Sequence, residues 1–287
     1  MTQPAPEPFA ALTIRQALGL AGQLKAVSDS PLLDCQLLLA HCLDKPRPFL
    51  YARDEELLSR SQQQSFASVM ERRRAGEPVA YIVGRQWFWD MQLAVGPATL
   101  IPRPETETLV SAILESNTSA PRKVLDLGTG SGAIAIALAR ERPFWELHAV
   151  DCEESSLAVA RVNADEWSKG RIMFHRSDWL SGLTGETFDI IACNPPYISR
   201  DDGHLTRLRF EPRIALVSGV DGFDAIRRVI GQARAHLVPG GSLVLEHGAS
   251  QRSQVVGLLE GAGYYNIETL DDDSGVPRVV MANIRNG

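Results

Sequence analysis

Cysteine is scarce in this 287-residue chain: Cys35, Cys42, Cys152 and Cys193 are the full set, with no CxxC spacing among them. So few and so spaced, they exclude a disulfide scaffold and a thiolate zinc site, and they suit reduced thiols in a cytoplasm. Histidine is equally thin, six residues scattered along the chain, so none is assigned to catalysis and no metal site is expected. No stretch reaches the ~18 uninterrupted apolar residues of a membrane helix. The Pro-rich start, Met1 to Pro8, lacks the basic and then apolar segments of an export signal. Net positive charge is missing too. The formal charge of −6 argues against a broad nonspecific nucleic-acid footprint. Arg72, Arg73 and Arg74 form the main local basic cluster, read as a solvated helix end whose charges complement the helix dipole. What is present is enough hydrophobic residue, 44%, for one large core or two smaller ones, with two domains expected from the length.

From about Leu12 to Gly76 the pattern is helical. Leu32, Leu33, Gln36, Leu37, Leu39, Ala40 and Leu43 form an apolar stripe behind a Ser30-Pro31 start, and a second helical run from Asp54 to Ala75 ends at Gly76. Between Val79 and Pro102 the residues turn aromatic and β-favouring: Tyr81, Ile82 and Val83, then Trp87 to Val95 with its odd-numbered members on one face. Acids in a first turn follow at Glu105 and Glu107. These shifts predict a helical domain over 1–78, a β-hairpin linker over 79–104 and a larger domain over 105–287. Strands at Lys123–Leu127, Glu146–Val150, Ile172–His175 and Phe188–Cys193 alternate with helices at Ala133–Arg140 and Ser155–Trp167. That alternation predicts a parallel α/β sheet, with Tyr264–Leu270 and Arg278–Ile284 as a terminal hairpin.

The first strand runs into Gly128-Thr129-Gly130-Ser131-Gly132, a loop whose backbone can approach a ligand closely at the start of a helix. A dinucleotide pyrophosphate fits such a loop as well as a nucleoside does. Asp126 separates the two: a carboxylate is a poor neighbour for phosphate and a good acceptor for the ammonium of a methionine moiety, which points to S-adenosylmethionine. Asp151 ends the next strand, where an acid accepts from ribose hydroxyls. Asp178 and Trp179 follow the third, suited to an adenine amine and to ring packing.

The fourth strand ends in Asn194-Pro195-Pro196-Tyr197. Two prolines lack N–H donors and fix φ, giving a rigid turn with free carbonyls at the sheet edge where open α/β folds bind ligands. The Asn194 oxygen and the Pro195 carbonyl can accept both hydrogens of a planar NH2 while the Tyr197 ring packs on its face. Two acceptors pulling on those hydrogens restore nucleophilicity to a nitrogen whose lone pair is delocalised. The plain alternative is a strand-ending turn with an exposed aromatic.

Together these motifs resemble the class I S-adenosylmethionine-dependent methyltransferases, and more closely the PrmC/HemK family of protein-(glutamine-N5) methyltransferases, over nearly the whole chain. The more specific matches are EPVAYIVGRQWFW at Glu77 to Trp89, LIPRPETE at Leu100 to Glu107, SDW at Ser177 to Trp179 and EPRIALVSGVDG at Glu211 to Gly222. The resemblance implies a Rossmann-like, mostly parallel sheet with a C-terminal antiparallel hairpin, plus a small N-terminal helical domain that helps to recognise class-one peptide chain release factors. It implies transfer of a methyl group from S-adenosylmethionine, leaving S-adenosylhomocysteine, to the glutamine of their GGQ loop in support of translation termination. By matching positions, the Gly128 to Gly132 loop, Asp151, Trp179 and Asn194 would meet cofactor, and Asn194 to Tyr197 the glutamine amide. No membrane or direct nucleic-acid partner is expected. The chain departs from many relatives at Glu153, where they have serine, and at Glu246-His247-Gly248 in place of Glu-Ile-Gly. Other readings are glutamine methylation of a ribosomal protein, adenine-N6 methylation of nucleic acid, a noncatalytic release-factor-binding module and a nicotinamide enzyme.

Overall fold

The computed structural model describes residues 12–285, so the Met1–Pro8 segment lies outside the described residues. The chain divides after Gly84 into two compact units. Among the described residues no helix is long and apolar enough to cross a membrane.

The first unit is helical: α1 (Ile14–Leu18), α2 (Pro31–Leu43), α3 (Arg47–Ala52), α4 (Arg60–Arg74) and α5 (Val79–Val83). Thr13 and Ser59 start α1 and α4 with reciprocal capping boxes to Gln16 and Gln62, satisfying N–H groups that a helix start leaves unpaired. Leu24, Leu38, Leu39, Leu50, Phe66 and Met70 form the core. Three sequence expectations change here. The Ser59 cap makes α4 begin at Arg60, not Asp54, and Asp54 instead pairs with Arg15. The buried face of α2 keeps Gln36, Leu39, Ala40 and Leu43 of the expected stripe and adds Cys35 and Leu38, while Leu32 and Leu33 are exposed. Val79–Val83 is a helix rather than a strand: Ala80, Tyr81 and Ile82 are buried in succession, which an alternating strand does not allow, and Gly84 closes the turn at φ 77°. The arginine cluster is paired internally. Arg72 meets Glu77, Arg74 meets Glu71, and Arg73 binds Asp34 at 2.7 Å and the Val27 carbonyl.

The second unit opens with a hairpin, β1 (Arg85–Phe88) and β2 (Met91–Ala94). Its two-residue turn holds Trp89 at φ 58° and breaks the expected alternation. Phe88, Met91 and Leu93 are buried and Trp87 is exposed, so Trp87 leaves the face assigned to the odd-numbered residues. The hairpin falls within the second unit. Asn163, fully buried, ties it to the glycine loop by bonding both backbone groups of Ala94 and the Ser131 carbonyl.

Then follow α6 (Thr106–Ser116), β3 (Lys123–Leu127), α7 (Ala133–Glu141), β4 (Glu146–Asp151), α8 (Glu154–Ser168), β5 (Ile172–Arg176) and β6 (Phe188–Cys193). After these come α9 (Asp224–Ala233), β7 (Leu237–Glu246), α10 (Arg252–Gly261), β8 (Tyr265–Asp271) and β9 (Pro277–Asn283). The sheet order is β5-β4-β3-β6-β7-β9-β8, with β3 to β7 mutually parallel and β9 antiparallel to both neighbours. In β3 every residue after Lys123 is buried, as expected of a central strand covered on both faces. Strand order reverses at β3, and the carboxyl ends of β3, β4 and β6 there open a crevice.

Candidate active site

The crevice holds a cavity of about 390 Å³. Gly128, Gly130 and Gly132 all have positive φ, 79°, 54° and 86°, a conformation that favours glycine. A Cβ on Gly130 would meet nothing within 4 Å and would project into open space, whereas one on Gly132 would lie 2.9 Å from the Ile136 Cδ1 and 3.3 Å from the Ala160 Cβ. Gly130 thus bares the loop to a ligand, and Gly132 lets α7 and α8 approach. Asp151 accepts from the Gly130 N–H at 2.9 Å and from the Glu153 N–H at 3.0 Å, and lines the cavity. Burial raises its carboxyl above the usual range. The Trp179 ring lies against Gly128, and Asp178 pairs with Arg228 at 2.5 Å; all four line the cavity.

Asp126 sits elsewhere. It is fully buried behind the loop, where one oxygen accepts from the Thr129 hydroxyl at 2.6 Å and the Ala135 N–H at 3.1 Å, and the other has no partner. Burial pushes its carboxyl up to about 6. It is not among the residues lining the cavity, and in this geometry it braces the loop against α7. Thr129, Ser131 and Gly132 likewise build the loop from behind.

A second, smaller cavity of about 80 Å³ is lined by Pro195, Tyr197, Leu208 and Arg103 among others. Leu100, Asn194, Pro196 and Ala215 line both cavities. The Asn194 Nδ2 donates to the Thr106 hydroxyl at 3.0 Å, and that hydroxyl donates to Glu246 Oε2 at 2.6 Å. The Tyr197 hydroxyl donates to Glu246 Oε1 at 3.3 Å. Burial pushes the Glu246 carboxyl up to about 7 and, with Glu246 beside it, raises the Tyr197 phenol. Among the described residues no hydrogen bond ends on the Asn194 Oδ1 or the Pro195 carbonyl.

The backbone of this turn is equally fixed. Ile198 donates to the Leu216 carbonyl and accepts from Ser218, and Gln251 donates to the Tyr197 carbonyl at 3.1 Å. A Cβ on Gly222 would lie 2.5 Å from that same carbonyl. Glu211, nearly buried, accepts from the Ile101 N–H at 3.0 Å and from Arg103, joining the segment before α6 to the segment after the NPPY turn.

Comparison with known proteins decides what kind of enzyme carries this crevice. Residues 18–84 match the PrmC N-terminal domain, and residues 104–209 match the methyltransferase small domain. The chain is 41% identical to the release factor glutamine methyltransferase of Coxiella burnetii, covering 94% of this chain and 99% of that one. It is 43% identical to that of Escherichia coli, covering 93% and 96%. The chain belongs to the release factor glutamine methyltransferase family. The fold is shared more widely. A methyltransferase from Pyrococcus furiosus superposes with a TM-score of 0.53 at 16% identity, covering 76% of this chain and 99% of that one. The Thermus thermophilus 16S rRNA N2 G1207 methyltransferase superposes with a TM-score of 0.54 at 22% identity, covering 70% and 50%.

Within this family member the crevice brings together Gly128, Gly130, Asp151, Asp178, Trp179, Asn194 and Pro196, with Pro195 and Tyr197 at the adjoining cavity. Sequence reasoning gave no site role to Thr106, Glu211 or Glu246, although each lies in or beside a motif it quoted. Nor did it place Leu100 or the Pro212–Gly219 stretch at the wall of the main cavity. The signal in the sequence was an acid at Glu211, opening EPRIALVSGVDG, and one at Glu246, ending an apolar strand run; the structure shows both buried.

Proposed function

We propose that this chain transfers a methyl group from S-adenosylmethionine to the N5 side-chain nitrogen of the GGQ glutamine in class-one peptide chain release factors, in the cytoplasm. The observation that carries this reading is that Asn194 and Pro196 line both a nucleoside-sized cavity and a small one beside it. A donor and an acceptor bound on the two sides meet at the same turn. The residues fit the cofactor: the bare face of Gly130, the Trp179 ring and the Asp151 carboxylate suit loop, ring and ribose contacts. When bound, it supplies an electrophilic methyl group on a sulfonium.

The protein contributes orientation. Asn194 Oδ1 and the Pro195 carbonyl accept the two amide hydrogens, and the Tyr197 ring covers the amide plane. As positive charge develops on the nitrogen these acceptors bind more strongly, which lowers the barrier. No covalent nucleophile is required, and the methylated nitrogen gives up one proton, for which no side chain is assigned. The helical first unit, matching the PrmC N-terminal domain, is assigned to recognition of the release factor.

The test is incubation with labelled S-adenosylmethionine and the release factor of the same organism, followed by mass spectrometry of the peptides. A methyl group on the GGQ glutamine is the expected result. Label confined to a ribosomal protein or to adenine would redirect the substrate, and no transfer to any of the three would leave a binding module.

A further inference from the structure

A primary amide presents two nearly isosteric ends, yet only the oxygen end of Asn194 can accept hydrogens from a substrate nitrogen. Something must decide which end faces the cavity. Glu246 is 1% exposed, at the carboxyl end of β7, and its Oε2 lies 2.6 Å from the Thr106 hydroxyl. In its ionised form, which accepts the Thr106 and Tyr197 hydroxyls on separate oxygens, Glu246 has no hydrogen to give, so the single hydroxyl hydrogen of Thr106 is committed to it. The Thr106 oxygen is then left as an acceptor, and it takes the Asn194 Nδ2 at 3.0 Å. Turning the Asn194 amide over would set its oxygen against another oxygen with no hydrogen between them.

We infer that Glu246, acting through Thr106, fixes the polarity of the Asn194 amide, so that its oxygen is the end offered to the substrate. Both are positioning residues. The same carboxylate receives the Tyr197 hydroxyl on its other oxygen, so one buried acid holds the first and last residues of the NPPY turn. Thr106 lines neither cavity, which separates its effect from direct binding. The inference rests on the methyl-transfer reading above.

The test is a double-mutant cycle on full-length protein under single-turnover conditions, with S-adenosylmethionine and release factor saturating. Thr106→Val, which keeps the shape and removes the hydroxyl, is expected to slow transfer about 10- to 100-fold, in the range of one lost preorganised polar contact. Thr106→Ser is expected to stay within about threefold of wild type, and cofactor affinity within about threefold in both variants, because the hydroxyl touches no ligand. In an Asn194→Ala background Thr106→Val is expected to add nothing. Overturning results are a wild-type rate for Thr106→Val, a loss confined to cofactor affinity, or the same fold loss with and without Asn194. An inactive wild-type protein would defeat the functional reading instead. The inference then stands or falls on side-chain amide exchange measured by NMR: Thr106→Val should speed exchange of the Asn194 Nδ2 protons about tenfold if the bond is formed, and unchanged exchange overturns it.

Discussion

The two halves of the crevice are built in different ways. On the glycine-loop side the bonds that set the loop itself are mostly short-range, with Thr129 to Asp126 spanning three residues, Ala135 to Asp126 nine and Gly130 to Asp151 21, while Asn163 reaches Ser131 over 32 and Arg228 reaches Asp178 over 50. On the NPPY side they span the chain: Tyr197 to Glu246 covers 49 residues, Asn194 to Thr106 88, Ile101 to Glu211 110, and Thr106 to Glu246 140. The first half works by backbone conformation, since its glycines adopt φ values that leave an open face at Gly130 and admit a neighbour at Gly132. The second works by buried carboxylates that collect donors from separate segments. A cofactor used for many reactions needs a general cradle, whereas a single planar amide needs side chains of fixed polarity, and only long-range contacts fix them.

Breaking the long-range half at its centre gives the largest expected effect. Asn194→Ala should lower the single-turnover rate about 100-fold, near 3 kcal/mol, with both ligands saturating. An unchanged rate would remove Asn194 from the chemistry. Next is Glu211→Ala, which strips a buried acceptor from the Ile101 N–H and leaves Arg103 without its partner. We expect a loss of about 2 kcal/mol in denaturant unfolding, together with weaker release-factor binding and cofactor affinity less affected. Equal losses of both affinities would mean that the two halves are not separable.

The short-range half breaks through its backbone. Gly132→Ala meets positive φ and a 3.3 Å contact with Ala160, so a stability cost of about 1–2 kcal/mol and weaker S-adenosylmethionine binding by calorimetry are expected. A further expected effect is one of pH. Burial raises the Asp126 carboxyl to about 6 in the folded protein, above its unfolded value. The native state therefore holds this proton when the unfolded chain has released it, and the associated stability is lost as pH rises through about 6. Asp126→Asn removes that loss, so its thermal midpoint relative to wild type should climb between pH 4.5 and pH 7. Parallel midpoints across that range would show that Asp126 titrates as an exposed carboxyl does.

Much of the second unit was legible in the sequence because its signals are local. The β3–Gly loop–α7 run, Asp151 at the end of β4, and Pro195-Pro196 stopping β6 each follow from residue types a few positions apart. Two readings failed where tertiary packing outweighed propensity. Val79–Val83 carries β-favouring residues but is helical, because Tyr81 and Ile82 must both be buried between Pro78 and Gly84. Trp87 reads as core by alternation, yet the turn at Trp89 and Asp90 hands that place to Phe88.

By itself the sequence determined the order of strands and helices, the glycines at positive φ and the rigid acceptor turn, since these depend on backbone allowances and periodicity that neighbouring residues settle. Only the tertiary structure decided that the Asn194 turn separates two cavities, and that Thr106, Glu211 and Glu246 converge around it. The physical reason is burial. A carboxylate removed from water must be met by donors, and which distant segments supply them is set by how the sheet brings the strand ends together.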